Sequence, residues 1–199
     1  SSNIAEITIA VKGVNDAPVV SLDQSTVSVD EENDLFFNAG NGNRIHLADI
    51  DAGSSAVELL LEVNSGTLAL ASTTGITFLE GANNAGRMKI RGSLSDLQVV
   101  VDGLSYTGVT DFYGTDNLSV TLNDAGNTGS GGAKNHNQTI TITVNPVADA
   151  PVLATGSNID SALTEGDGAN YLFADVSVFT QETDEKLSAL TMTVSNLGV

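Results

Sequence analysis

One twelve-residue segment occurs twice in this chain. Ile7-Thr8-Ile9-Ala10-Val11-Lys12-Gly13-Val14-Asn15-Asp16-Ala17-Pro18 returns 133 residues later as Ile140-Thr141-Ile142-Thr143-Val144-Asn145-Pro146-Val147-Ala148-Asp149-Ala150-Pro151, with eight of twelve positions identical. A period of that length is the size of a domain, so the chain reads as domains in series. The correspondence runs on past the proline. At the same spacing Glu32 meets Glu165, and Asp49 and Asp51 meet Glu182 and Asp184, while Leu35-Phe36-Phe37 resembles Tyr171-Leu172-Phe173 after a small shift. Three parts follow: 1–13 as the last strand of a preceding repeat, 14–146 as one complete repeat, and 147–199 as the opening part of a second, truncated one. A partial sandwich leaves strand edges unpaired, so the last part is expected to pack poorly alone or to borrow a partner.

Within a repeat the dominant pattern is alternation. Thr139, Thr141 and Thr143 point one way and Ile140, Ile142 and Val144 the other, as in a half-buried antiparallel strand. Segments 4–11, 19–22, 26–29, 57–63, 67–70, 87–91, 117–122 and 138–144 all read as strands. One stretch has helical spacing instead. Ser93 is placed to cap a helix with Asp96 three residues on, Leu94, Leu97, Val101 and Leu104 share a face, and Gly103 ends it. This segment is expected to be a crossover sealing an edge of a two-sheet, Greek-key β-sandwich.

Charge narrows the partners. The chain has 25 acidic and 7 basic residues, a net charge of -18, which repels nucleic acid and anionic membranes. The absence of cysteine rules out disulfides, thiol chemistry and cysteine-ligated zinc. No apolar run is long enough to span a membrane, and the start carries no basic-then-apolar leader, as expected of a mature or fragmentary chain. Enzyme signatures are also missing. There is no Gly-x-Ser-x-Gly elbow, the loop Gly129-Ser130-Gly131-Gly132 lacks the lysine and hydroxyl residue of a phosphate loop, and a chain without tryptophan offers little for sugar stacking. His46 and His136 have no motif around them, and His136 is expected to be solvated in a Gly/Asn-rich loop. Asp23, Asp30 and Asp111 read as solubilising charge, and Gly114-Thr115-Asp116 as a turn.

The remaining acids have a pattern. Hard cations such as calcium take six to eight oxygen ligands. Carboxylates two apart on extended backbone project the same way, as Asp49-Ile50-Asp51 and Glu182-Thr183-Asp184 do. Asn15-Asp16 and Asp149 lie in the proline-bearing junctions, Glu32 follows a strand, and Asp124 sits in the turn Asn123-Asp124-Ala125-Gly126-Asn127. Acids gathered at a junction repel one another unless a cation screens them.

Val14-Asn15-Asp16-Ala17-Pro18, Glu32-Asn33, Asp49-Ile50-Asp51 and Asn123-Asp124-Ala125-Gly126 resemble the motifs of bacterial cadherin-like, Ig-like repeats of large secreted adhesins, including biofilm and RTX-type adhesins. The segment Gly92 to Thr107 also resembles the crossover of the longer bacterial version. The likeness covers nearly the whole chain. It implies an all-β Greek-key sandwich in tandem repeats, without catalysis, secreted to the bacterial cell surface. Calcium between neighbouring repeats would stiffen the array. Carried over, Asp16, Asp49, Asp51 and Asp124 would serve the first junction, and Glu32, Asp149, Glu182 and Asp184 the second, with Asp116 as a further candidate. There are departures. Ser105-Tyr106-Thr107 stands where animal cadherins carry Asp-Arg-Glu, the second junction reads Ala148-Asp149 without the Asn, and Glu182 replaces an Asp. The rival expectation is a homophilic or carbohydrate-binding module, which needs an exposed aromatic or apolar patch. Phe36, Phe37, Phe78, Phe112 and Tyr113 are its candidates. A hydrolase is the third reading.

Overall fold

The computed structural model describes residues 7–155, 176–179, 186–189 and 191. The chain divides into two compact units, 1–145 and 146–199. Glu165, Tyr171, Leu172, Phe173, Glu182 and Asp184 lie outside the described residues.

The first unit is all-β apart from one short helix. Its strands are β1 (Val19–Leu22), β2 (Thr26–Asp30), β3 (Asp34–Phe37), β4 (Ile45–Ala48), β5 (Ala56–Glu62), β6 (Gly66–Ala69), β7 (Ile76–Gly81), β8 (Arg87–Ser93), β9 (Leu104–Gly108), β10 (Gly114–Asn123) and β11 (Asn135–Asn145). A six-stranded sheet runs β2-β11-β10-β5-β8-β7, a three-stranded sheet runs β3-β9-β6, and β1 pairs with β4. All pairings are antiparallel except β2 with β11. The described part of the second unit contains β12 (Val152–Thr155) paired antiparallel with β13 (Val176–Phe179).

Alternation produces the core. Along β5, Val57, Leu59 and Leu61 are buried while their neighbours are half-exposed. In β10 and β11 the buried set is Leu118, Val120 and Leu122 with Ile140, Ile142 and Val144. These meet Phe37, Leu68 and Tyr106 from the three-stranded sheet in one cluster. The helix α1 (Leu94–Val101) carries the chain from β8 in one sheet to β9 in the other, and packs Leu97, Val100 and Val101 into that core. Ser93 caps it, its Oγ accepting the Asp96 amide at 3.2 Å.

Several sequence expectations change. Ile7–Val11 forms no strand, and Ile7, Ile9 and Val11 are 85%, 80% and 90% exposed. An alternating segment becomes a strand only where a neighbouring strand supplies a ladder, and none does so here among the described residues. Asp116 is not a turn residue. It lies in β10, 2% exposed, because its carboxylate collects the Asn64 and Ser65 amides at 3.0 and 2.8 Å and the Tyr106 hydroxyl at 3.1 Å. Burial together with the adjacent Asp116 charge pushes the Tyr106 phenol above its ordinary value. His136 is not in a loop either. It belongs to β11, and its Nδ1 accepts the Val20 amide at 2.9 Å. Asp23 pairs with the His46 ring at 2.9 Å, and that bond lowers its pKa. The strands β3, β4, β7 and β9 lie outside the segments whose sequence reads as strand.

Candidate functional site

The first junction is assembled by three loops. The entry segment carries Val14, Asn15 and Asp16. The turn after β4 carries Asp49, Ile50 and Asp51. The long connection between β10 and β11 carries Asp124, Thr128 and Lys134.

The connection folds back onto the entry segment. The Asn15 amide donates to the Ser130 carbonyl at 2.9 Å and the Ser130 amide to the Gly13 carbonyl at 3.0 Å. The approach is close enough to demand glycine at 129, where φ is +108° and an added Cβ would lie 2.5 Å from the Asn15 nitrogen. Asn15 is thereby fully buried. Its Nδ2 donates to Asp124 Oδ2 at 2.6 Å and to the Gly132 carbonyl at 2.8 Å.

The Asp49 turn closes the other side. Asp49 Oδ1 accepts the amides of Asp51 and Ala52 at 2.8 and 3.0 Å, an Asx-type turn that fixes the spacing of the two acids. Asp51 Oδ2 accepts the Asp16 amide at 2.5 Å, and the Thr128 hydroxyl donates to the Asp51 carbonyl. The structure therefore brings Asp16, Asp49 and Asp51 together, with Asp124 linked to them through Asn15. Two oxygens of this group, Asn15 Oδ1 and Asp49 Oδ2, are buried with no hydrogen-bond partner. Such acceptors are costly to leave unmatched. No three of the four carboxylates bring oxygens within 4.8 Å of one another.

Asp124 differs from the other three. It is fully buried. Its Oδ1 accepts the Gly126 and Lys134 amides, both at 2.8 Å, and Lys134 Nζ donates to the Asn15 carbonyl. Burial raises the Asp124 pKa, but the Lys134, Gly126 and Asn15 hydrogen bonds and the Lys134 charge outweigh it, so the net shift is downward.

Glu32 is exposed in the turn after β2 at a φ of +64°, and Asp111 occupies a similar left-handed position at +58°. Their carboxylate oxygens lie within 4.8 Å of each other. Asp149 belongs to the second unit. Lys134 and Thr128 carry no expectation from the sequence, and Asn15 is read there only as part of the junction motif. Lys134 had a signal, being one of only seven basic residues and standing ten positions after Asp124 across a glycine-rich loop.

Family models searched with this sequence give no match, and no curated protein matches it. No helix among the described residues is long and apolar enough to cross a membrane.

Proposed function

We propose that this chain is a calcium-binding extender repeat of a bacterial cell-surface adhesin, of the cadherin-like, Greek-key sandwich type, acting in adhesion or biofilm formation without catalysis. The observation that carries the reading is the junction of Asp16, Asp49 and Asp51. Three acids from two loops adjoin there, Asp51 accepting the Asp16 backbone amide and Asp49 bracing the Asp51 turn, and Asp49 Oδ2 and Asn15 Oδ1 are buried acceptors without donors. A hard cation fits such a set, because every group offered is oxygen. When bound, calcium supplies the positive charge that three adjoining acids lack. The chain's own residues supply the positioning. Asp49 Oδ1 braces its turn, Asp51 holds the Asp16 backbone, and Thr128 holds Asp51. By the 133-residue repeat, Asp149, Glu182 and Asp184 are the counterparts of Asp16, Asp49 and Asp51, and the proposal extends to them, with Glu32, on sequence alone.

Rigid repeats hold a distal tip away from the cell surface, and an ion at each junction restricts bending. The aromatic inventory favours this role over glycan or homophilic binding. Of the five candidate aromatics Phe37 is fully buried, Phe78 and Phe112 pack against the core, and Phe36 and Tyr113 are exposed, while among the other described aromatics Phe179 of the second unit is also exposed.

The test is calorimetric unfolding of the full chain in calcium and in chelator, beside Asp49→Ala/Asp51→Ala. A ligand at a hundred times its Kd adds about 2.7 kcal/mol, so the wild type is expected to gain several degrees that the double variant does not. An equal midpoint in calcium and chelator refutes the reading.

A further inference from the structure

The resemblance assigns Asp124 to the calcium set, and its surroundings do not fit that role. A carboxylate pair of oxygens offers about four acceptor sites. Three are taken at Asp124, by Asn15 Nδ2 at 2.6 Å and by the Gly126 and Lys134 amides at 2.8 Å. The backbone adds a further tie, the Asp124 amide donating to the Lys134 carbonyl at 3.0 Å. A buried carboxylate is tolerated when hydrogen bonds and a neighbouring positive charge compensate it. Lys134 contributes both, its backbone amide on Asp124 Oδ1 and its ammonium charge on the far side of Asn15. Its ammonium reaches across the loop to the carbonyl of Asn15, the residue whose side chain holds Asp124.

We propose that Lys134 is a resident cation of the first junction, holding Asn15 and Asp124 together in place of a metal ion, so that calcium at this junction is confined to the side of Asp16, Asp49 and Asp51. The inference deepens the calcium reading for those three acids, but the lysine half stands without it. The clasp Asp124–Asn15–Lys134 is closed by protein groups alone. It anchors the β10–β11 connection on the entry segment whether or not calcium is present. Four of the other basic side chains are not candidates for this place. Arg44 pairs with Asp102, Arg87 with Glu62 and Glu80, and Lys89 with Glu58, while Arg91 lies exposed on β8.

The experiment uses the full chain, unfolded calorimetrically in chelator and titrated with calcium alone. The variants are Lys134→Met, Lys134→Arg, Asp124→Asn and the double Lys134→Met/Asp124→Asn. Lys134→Met is expected to lower the midpoint in chelator by roughly 5 °C, Lys134→Arg to recover part of that, and the double variant to lose less than the sum of the two singles. Asp124→Asn is expected to lower the midpoint equally in chelator and in calcium, leaving the calcium Kd within about twofold of wild type. An unchanged midpoint for Lys134→Met in chelator, or strictly additive losses, overturns the resident cation. A calcium affinity more than about tenfold weaker in Asp124→Asn overturns the exclusion of Asp124 from the metal set. If the wild type takes up no calcium, the extender reading fails, while the chelator series still decides the role of Lys134.

Discussion

The repeated motif permits an internal comparison, because Ile9 and Ile142 occupy the same place in the same pattern and meet opposite surroundings. Ile142 lies in β11 between β10 and β2, opposite Asp116 and Val27, and is fully buried. Ile9 is 80% exposed and unpaired. Truncating a buried isoleucine to alanine costs about 2–5 kcal/mol, the transfer of the lost methyl and methylene groups plus the cavity left behind. For a unit of this size each kcal/mol shifts the midpoint by about 2–4 °C, so Ile142→Ala is expected to lower the Tm of the first unit by roughly 5–15 °C. Ile9→Ala changes a surface position, and its effect is expected within about 0.5 kcal/mol. Urea unfolding followed by tyrosine fluorescence measures both, since Tyr106 and Tyr113 lie in the first unit. Similar losses for the two variants would show that the entry segment is packed as a strand after all, and would refute the argument that a ladder partner, not the alternating pattern, creates the strand.

Other consequences follow from single contacts. Tyr106→Phe removes one of the donors to Asp116 and leaves its three amides, from Asn64, Ser65 and Asn117, so a loss of about 1 kcal/mol is expected in urea. Asp116→Ala, which strips those amides of their acceptor and leaves the Tyr106 hydroxyl only the Ser65 carbonyl, is expected to cost at least twice as much, and a smaller loss than Tyr106→Phe would contradict the assignment. The Asp124 pKa is depressed in the folded state. Its contribution is therefore present above the unfolded carboxylate value of about 3.9 and is lost as pH falls through the folded value. Asp124→Asn is expected to flatten the acid limb of a stability–pH curve below pH ~4, and parallel limbs would count against the shift. Gly129→Ala places a Cβ against the Asn15 backbone at a positive φ. Faster amide exchange at Asn15 and Ser130 is the expected sign of the loop lifting away, and unchanged protection would refute the close approach.

Much of the architecture was legible because it rests on local pattern. The Val/Leu/Ile alternation of Val57–Leu61, Leu118–Leu122 and Ile140–Val144 specified strands and their buried faces. Ser93, Asp96, Gly103 and the apolar spacing between them specified the helix and its two ends. β3 is masked by the continuous apolar run Leu35-Phe36-Phe37, β7 by its irregularity between Phe78 and Glu80, and β9 by Leu104, which also completes the helical face. In the site, Asp16, Asp49 and Asp51 were legible through their recurrence after 133 residues. Lys134 was not, because nothing near position 134 refers to Asn15, 119 residues away.

The sequence by itself determined an acidic, cysteine-free all-β chain organised by a long repeat, since composition and period-2 alternation are local properties. Only the tertiary structure decided which acids stay available and which are spent. Asp116 and Asp124 look in sequence like turn acids open to a cation, yet folding surrounds both with donors, and Asp49 keeps a buried oxygen without one. The same holds for Ile9 and Ile142, whose identical pattern becomes a surface segment or a core strand according to the neighbour that long-range folding supplies.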